Sequence, residues 1–365
     1  MSELLRATPF HARQADLNRL NRWENRGGFT LATALAEPRA EALAARFGTA
    51  MADLSWQWRV LISGGQAGAF VSRLLTRNVE ALAPGQAFQA LWLADGGGVR
   101  GIATLARLGK DSFLLLSESE DAAWLVASAR LFGASVKPLD EGVLALIGPH
   151  AGKLLAVSGF DPDLPAMALR RVFWRGLDVM LSRLGQGYEV WCGSDDALIV
   201  WDRLVAAGKS TALLPVGIGA MDLLDLESGI VRAGRDFSLA REGLACDPAP
   251  PSLGLSGLVD STHDFNGRAG FFAAGPAKTL TGVMFEDETV VPRTILTSQG
   301  RAVGRTLSSL YSPALGRALA LALLEPVAAL PGTALMAGTS ACRVAALPFL
   351  PLPPPLGAGD GKSPS

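Results

Sequence analysis

One carboxylate stands apart in the segment VMLSRLGQGYEVW, which spans Val179–Trp191. Its pattern predicts a strand, a tight glycine turn and a second strand, with Glu189 near the middle of the second strand. Because side chains alternate across a strand, Glu189 is expected to face away from whatever Tyr188 and Val190 pack against. A carboxylate at such a position is most often a solvated edge residue. The alternative is a buried acceptor for the hydrogen-bond donors of a ligand.

Two tryptophans and an arginine form a second group of candidates. Alternation in MADLSWQWRVLISG predicts one strand over Met51–Gly64 with Trp56 and Trp58 on the same face. An aromatic face can hold a methylated cation, although core packing is the expected role of at least one of the two indoles. Arg100 follows a run of three glycines that predicts a hairpin turn. It can bind a substrate carboxylate, or it can be an exposed turn residue.

Composition limits the classes of function. The chain has 365 residues, 49% of them hydrophobic, and a net charge of −1. No basic stripe indicates nucleic-acid binding, and the most apolar segment, Ala318–Leu330, is interrupted by Glu325 and Pro326, so no membrane span is expected. The first residues do not resemble a secretory signal. The three cysteines and three histidines are dispersed, so neither a metal site nor a disulfide is expected. These features predict a cytoplasmic globular protein.

Strands and short helices are interleaved through the first two thirds of the chain without a strict βαβ rhythm. This arrangement favours an α+β fold over a doubly wound sheet. Ser194 is the expected N-cap of one amphipathic helix. The predicted helices are Pro38–Gly48, Gln66–Leu75, Ala122–Phe132, Ser194–Gly208 and one that begins near Met221 and ends at Ser228-Gly229.

The last third of the chain has a different pattern. Residues 238–262 are rich in proline, serine and glycine, which predicts a connection and not a packed element. From about Leu280, short strands separated by turn signals predict a small β-barrel or sandwich. The tail, residues 352–365, is expected to be disordered.

Several of these segments together resemble the tetrahydrofolate-dependent T-protein of the glycine cleavage system and its relatives. The resemblance covers about Arg6 to Pro351, and its motifs occur in the same order and with similar spacing as in the family. They are DLSWQWRVLISG (Asp53–Gly64), TRNVEALAPGQA (Thr76–Ala87), GYEV (Gly187–Val190), DLLDLESG (Asp222–Gly229), DFNGR (Asp264–Arg268), YSPALGRALALALL (Tyr311–Leu324) and PGTAL (Pro331–Leu335).

The resemblance implies an α+β ring of three subdomains that binds folate, with a small C-terminal β-barrel. The implied boundaries are a folate-binding domain over 1–245, a linker over 246–262 and the barrel domain over 263–351. It assigns Glu189 to the donor-rich edge of the pterin ring, where a buried carboxylate can accept two hydrogen bonds. Tyr188, expected mainly to pack, and Tyr311 are the further residues assigned to the folate.

The chain departs from the family where a catalytic acid is expected. The family segment GG(V/I)(I/L)DD, whose aspartate handles the proton and charge of the transfer, aligns with Gly97–Ile102. Gly101 and Ile102 therefore replace both acids, and no other catalytic residue can be named. Trp56, Trp58 and Arg100 remain as the candidate substrate pocket.

Two functions follow from the resemblance. One is transfer of a methyl or aminomethyl group from a small substrate to tetrahydrofolate, as in tetrahydrofolate-dependent demethylases, which also lack the aspartate and depend on positioning. A lipoyl-carrier partner is not expected. The other is folate binding without turnover, in a regulatory or assembly role. Relatives in iron–sulfur protein maturation carry a reactive cysteine in the segment that aligns with Thr262–Arg268, which has none here.

Overall fold

The computed structural model describes residues 5–241, 246, 249–275, 277–288 and 291–351. These residues form two compact units. Unit 1 combines the chain up to Trp56 with Asp140–Asp222, and unit 2 combines Gln57–Leu139 with Leu223–Pro351. The predicted disordered tail lies outside the described residues.

Helices and strands are interleaved without a strict βαβ rhythm, and several strands follow one another directly, as expected for an α+β fold. The helices are α1 (His11–Leu17), α2 (Pro38–Phe47), α3 (Ala67–Leu74), α4 (Ala122–Arg130), α5 (Ala151–Ser158), α6 (Ala197–Ala207), α7 (Ile218–Glu227) and α8 (Arg268–Ala273). The strands are β1 (Arg6–Ala7), β2 (Trp23–Arg26), β3 (Phe29–Ala32), β4 (Thr49–Asp53), β5 (Trp58–Ser63), β6 (Ala87–Leu93), β7 (Val99–Gly109), β8 (Ser112–Ser117), β9 (Ser135–Pro138), β10 (Glu141–Ile147), β11 (Leu169–Trp174), β12 (Leu177–Ser182), β13 (Tyr188–Gly193), β14 (Leu213–Val216), β15 (Thr279–Phe285), β16 (Ile295–Ser298), β17 (Arg301–Ser312), β18 (Arg317–Leu324), β19 (Ala334–Ala337) and β20 (Ser340–Ala345).

Each of the five predicted helices is present, as α2, α3, α4, α6 and α7, and one predicted cap is wrong. Helix α2 begins at Pro38 as expected, and the Glu37 side chain accepts a hydrogen bond from Ala40 N at its start. Ser194 does not cap α6, because residues 194–196 form a separate 3₁₀ turn. Its hydroxyl instead donates to Asp140 O at 2.7 Å.

The single strand predicted over Met51–Gly64 is wrong. The segment forms β4 and β5, which belong to different sheets and are separated by a turn. The Asp53 carboxylate stabilises this turn by accepting a 2.8 Å hydrogen bond from Ser55 N. Trp56 lies in the turn and Trp58 on β5, so the two indoles do not share a strand face.

Unit 1 is built on a six-stranded sheet in the order β11-β12-β13-β10-β4-β14, beside a three-stranded sheet in the order β1-β3-β2. All pairs of the larger sheet are antiparallel except β14 with β4. Side chains from alternate positions of β13, Tyr188, Val190 and Cys192, join the main core of this unit together with residues of α5 and α6.

Unit 2 contains a five-stranded sheet in the order β6-β7-β8-β5-β9 and a closed barrel in the order β15-β18-β17-β16-β19-β20. The barrel confirms the prediction for the last third of the chain. Part of the predicted connection is packed, however. Two 3₁₀ turns, Pro250–Leu253 and Leu255–Leu258, bury Leu253 and Leu255 in the core of this unit because their apolar side chains point inward.

The DFNGR motif has a structural role in unit 2. Its Asn266 side chain donates to Asp95 Oδ1 at 2.8 Å, at the tip of the β6–β7 hairpin. Gly97 in that tip has φ +83°, and a Cβ on it would lie 2.1 Å from Phe271 N of α8. Only glycine fits so close an approach of two backbones. The motif therefore holds the hairpin from which β7 starts.

None of the helices in the described residues is both long and apolar enough to cross a membrane.

Candidate functional site

Glu189 lies at the centre of the unit 1 sheet. Strand β13 pairs with β12 on one side and β10 on the other, so Glu189 faces Ser182 and Ala145 across the two ladders. Only 6% of its surface is exposed, which excludes a solvated edge residue. The alternation predicted from sequence is confirmed, because Tyr188 and Val190 pack in the main core and Glu189 is on the other face.

Ser182 and Trp191 both donate to the carboxylate of Glu189. Ser182 Oγ donates to Oε2 at 2.7 Å, and Trp191 Nε1 donates to the same oxygen at 3.1 Å. Trp191 Nε1 also lies 2.9 Å from Ser182 Oγ, so the three groups form one network. The other oxygen, Oε1, faces Gly185, where a Cβ would lie 3.2 Å away. Burial of a carboxylate is unfavourable unless it is hydrogen-bonded, and these donors fix its orientation.

The two tyrosines assigned to the folate have different surroundings. Tyr188 is buried, its hydroxyl donates to Pro162 O at 3.0 Å, and the Arg183 guanidinium lies 5.4 Å from its ring centre. This environment accounts for Tyr188 as a packing residue. Tyr311 lies on β17 of the barrel, opposite Ala318, and is 41% exposed.

Trp56 is buried in unit 1 next to an ion pair. Its residue surface is 5% exposed, and its indole Nε1 has no hydrogen-bond partner among the described residues. The Arg26 guanidinium lies 5.5 Å from the indole and binds both oxygens of Asp222 at 2.7 and 2.6 Å. Burial lowers the pKa of Arg26, but the hydrogen bonds and charge of Asp222 outweigh it and raise that pKa above its ordinary value.

Trp58 and Arg100 belong to one aromatic cluster in unit 2. The rings of Trp58 and Trp92 are 5.9 Å apart, and those of Trp92 and Trp124 are 6.1 Å apart. The Arg100 guanidinium lies 4.5 Å from the Trp124 ring. The cluster, formed by Trp58, Trp92, Trp124 and Arg100, connects two of the sequence-predicted pocket residues through two tryptophans that sequence reasoning missed.

Arg100 is not an exposed turn residue. Its guanidinium donates to Asp121 Oδ2 through both Nε and Nη2, and the two side chains are only 12% and 14% exposed. Arg241 approaches the same carboxylate at 3.5 Å and donates to Arg100 O at 2.8 Å. Burial lowers the pKa of Arg241 and the charge of Arg100 lowers it further, against the opposing effect of Asp121.

Gly101 and Ile102, which stand where the family has two acids, have different surroundings. Gly101 is covered by the indole of Trp92, its cross-strand neighbour on β6. Ile102 is half-buried and packs against the core that unit 2 forms near its barrel. No acid–base side chain occupies either position.

Ser182, Trp191, Trp92 and Trp124 were not identified from the sequence. Ser182 and Trp191 are neighbours of Glu189 only because of the β12–β13 register, which depends on the loop between the strands. Trp92 is opposite Gly101 across a hairpin that carries a bulge. The glycine turn at the tip predicts the hairpin, but counting outward from the Leu93–Val99 pair would place Arg100 opposite Trp92, and only the bulge brings Gly101 there.

A separate cleft of ≈ 580 Å³ opens at the start of α3 in unit 2. Arg73, Arg107 and Lys110 line it together with three acidic side chains, and none of the predicted site residues does. Within the described residues there is also no group of three His, Cys, Asp or Glu side chains that could hold a metal ion.

Comparison with known families and proteins gives one consistent result. Residues 8–246 match the family described as GCVT N-terminal domain, and residues 278–353 match the glycine cleavage T-protein C-terminal barrel domain. The chain is 31% identical over 340 residues to an aminomethyltransferase of Frankia alni, covering 88% of this chain and 90% of that protein. It is 32% identical over 335 residues to an aminomethyltransferase of Saccharopolyspora erythraea, covering 85% and 89%.

The same fold has been determined experimentally. The structure of the glycine cleavage system aminomethyltransferase T from Bartonella henselae superimposes with a TM-score of 0.84, over 95% of this chain and 98% of that chain. The two sequences are 23% identical, so this likeness concerns the fold.

Proposed function

Because this chain belongs to the glycine cleavage T-protein family, we propose that it is a tetrahydrofolate-dependent one-carbon transferase. It takes a methyl or aminomethyl group from a small substrate. The observation that supports this proposal most directly is the buried, oriented carboxylate of Glu189.

The surroundings of Glu189 fit a pterin. A pterin presents an amino group beside a ring N–H, and a carboxylate can accept hydrogen bonds from both. Ser182 and Trp191 bind Oε2 of Glu189 and fix the plane of its carboxylate before any ligand arrives. When bound, tetrahydrofolate supplies the nitrogen that accepts the one-carbon unit. An orientation fixed in advance lowers the entropic cost of binding.

Trp56 is the second residue that fits a bound ligand. Its indole N–H is a buried donor without a partner among the described residues, and such a donor is costly unless something accepts from it. Arg26, held by Asp222, lies over the same ring. We propose that the Trp56 indole donates to a ligand bound in unit 1, whereas Tyr188 positions β13 by packing.

The aromatic cluster of unit 2 favours a methylated cation as the donor substrate. Trp58 and Trp124 are only partly buried, and aromatic faces attract onium groups. A methyl group on a positively charged nitrogen or sulfur leaves without prior proton transfer, so positioning suffices for its transfer. The absence of an acid at both Gly101 and Ile102 is consistent with such a substrate. Arg100 binds a substrate carboxylate only by sharing its donors with Asp121.

The alternative is folate binding without turnover, in a regulatory or assembly role. The covered position at Gly101 and the apolar side chain of Ile102 favour it, because neither supplies acid–base chemistry. The two functions share the Glu189 site and differ in whether a donor substrate is consumed.

Calorimetric titration of tetrahydrofolate into the wild type and Glu189→Gln tests the shared site. Loss of the charged acceptor is expected to weaken binding by about 1.5–3 kcal/mol. The matched control is Glu41→Gln. Glu41 is another buried carboxylate of unit 1, and it accepts hydrogen bonds from Leu35 N, Ala36 N and Gly217 N. Its change is expected to lower stability while the affinity of the folded protein for folate stays the same.

Absence of folate binding by the wild type would overturn both functions. Equal folate affinity of Glu189→Gln and the wild type would show that folate binds at a site that does not include Glu189. If binding behaves as expected, a panel of quaternary ammonium and sulfonium compounds is offered with tetrahydrofolate. Formation of methylated folate supports the transferase, and its absence with every donor supports the non-catalytic alternative.

A further inference from the structure

Trp92 and Gly101 stand directly opposite each other in the β6–β7 ladder. A Cβ on Gly101 would lie 2.1 Å from Nε1, 2.6 Å from Cε2 and 2.9 Å from Cδ1 of the Trp92 indole. These are separations that non-bonded atoms do not reach. An aromatic ring that lies across a cross-strand glycine is a known way to stabilise a glycine in a sheet. Here the ring occupies the volume of the missing side chain.

Neighbouring side chains restrict movement of the Trp92 indole away from Gly101. Trp92 is completely buried, and Trp58 and Trp124 pack against it at 5.9 and 6.1 Å between ring centres. Close-packed cores resist such displacement. The strand cannot shift either, because the hairpin tip is held at Gly97 against the backbone of Phe271.

The indole N–H of Trp92 does not explain why a tryptophan is present at this position. Its Nε1 is buried and has no hydrogen-bond partner among the described residues. A buried unpaired donor lowers stability, so Trp92 is not there for a hydrogen bond within the protein. Its contribution is the shape of the ring over Gly101.

We propose that Trp92 is a specificity-determining residue that excludes any side chain, and therefore any acid or base, from position 101 of β7. A side chain at position 101 is accommodated without loss of stability only when Trp92 is changed as well. This inference rests on the proposed function in one respect: it restricts the transferase to donors whose one-carbon group leaves without proton transfer at this strand. The steric exclusion itself can be tested without folate or substrate.

The first experiment measures the coupling between the two positions by thermal and urea unfolding. Gly101→Ala adds only a Cβ and is expected to lower Tm by several degrees, because that atom overlaps the indole. Trp92→Leu also lowers Tm, through the cavity it leaves. In Trp92→Leu/Gly101→Ala, the loss is expected to be clearly smaller than the sum of the two.

The matched control is Trp124→Leu, alone and combined with Gly101→Ala. Trp124 contacts Trp92 edge-on, whereas the three atoms nearest to a Cβ on Gly101 all belong to Trp92. Its combination with Gly101→Ala is expected to be additive. Equal coupling in both pairs, or a Gly101→Ala protein as stable as the wild type, would overturn the proposal.

The second experiment measures the pH profile of transfer. In the wild type, the pH profile of kcat with an onium donor is expected to show no change caused by ionisation of a carboxylate on β7. In Trp92→Leu/Gly101→Asp, the carboxylate has space, and with an aminomethyl donor, whose transfer involves a proton, kcat is expected to gain a dependence on the ionisation of this carboxylate. A profile unchanged from the wild type would contradict the functional part of the proposal. Failure of folate binding in the wild type would defeat the proposed function but leave the unfolding result standing.

Discussion

Ser182 and Glu189 face each other across β12 and β13, and the serine hydroxyl donates a 2.7 Å hydrogen bond to the carboxylate. Both side chains are buried, with 0% and 6% of their surfaces exposed. The pair shows that Glu189 is positioned by its own sheet before any ligand is present. Trp191, two residues further along β13 and so on the same face, completes the arrangement.

Ser182→Ala is expected to weaken tetrahydrofolate binding, by less than Glu189→Gln does. The carboxylate keeps its charge and its bond from Trp191 but loses the 2.7 Å hydrogen bond from Ser182, which contributes about 1–2 kcal/mol. Calorimetric titration measures the effect. Ser158→Ala is the control, since Ser158 is equally buried and its hydroxyl has no partner among the described residues. A Ser182→Ala protein that binds as tightly as the wild type would show that Glu189 does not need this support.

Gly97→Ala is expected to destabilise unit 2 by about 2–4 kcal/mol. The new Cβ would require a left-handed backbone at φ +83° and would overlap Phe271 N. Urea denaturation followed by circular dichroism measures the loss. Gly96→Ala is the matched control, because its φ is not in the left-handed region and no atom lies within 4 Å of its Cβ position. Similar losses in the two variants would mean that the contact with α8 is not limiting.

Cys192→Ala is expected to change how stability depends on alkaline pH. Burial first, and then nearby carboxylates, raise the pKa of the Cys192 thiol to about 12. The unfolded chain ionises this thiol near its ordinary pKa, so it binds fewer protons than the folded chain between about pH 9 and 12. The buried neutral thiol therefore contributes its full stabilisation below about pH 9. This contribution to the free energy of unfolding decreases as the pH rises from about 9 to 12.

Urea unfolding at pH 8 and pH 10.5 measures this effect. The difference in stability between the wild type and Cys192→Ala is expected to shrink at the higher pH. Val200→Ala removes a buried apolar group from the same core without a titrating atom, and its cost is expected to be independent of pH. A constant difference for Cys192→Ala would indicate that the thiol ionises equally in the folded and unfolded chains.

The sequence alone determined the kind of element at most positions and the family. Alternation around Glu189 predicted its strand face correctly, because one face of β13 is apolar at every second residue. Turn and strand signals after Leu280 predicted the barrel. The prediction from alternation was wrong at Met51–Gly64. Strand β4 ends there at Asp53, whose carboxylate accepts a hydrogen bond from Ser55 N, and a turn separates β4 from β5.

Tertiary structure decided which side chains meet. Alternation of apolar residues along β13 predicts which face Glu189 is on but not whether that face is buried. Glu189 is buried because β12 and β10 pair with β13 on both sides. Arg100 pairs with Asp121 and Gly101 lies under Trp92 for the same reason: these contacts depend on register and on the bulge in β6–β7. The motifs identify the chain as a T-protein relative, but the packing of Trp92 over Gly101 determines what that strand can hold. Local sequence preferences set each element, whereas contacts between distant residues depend on how the elements pack.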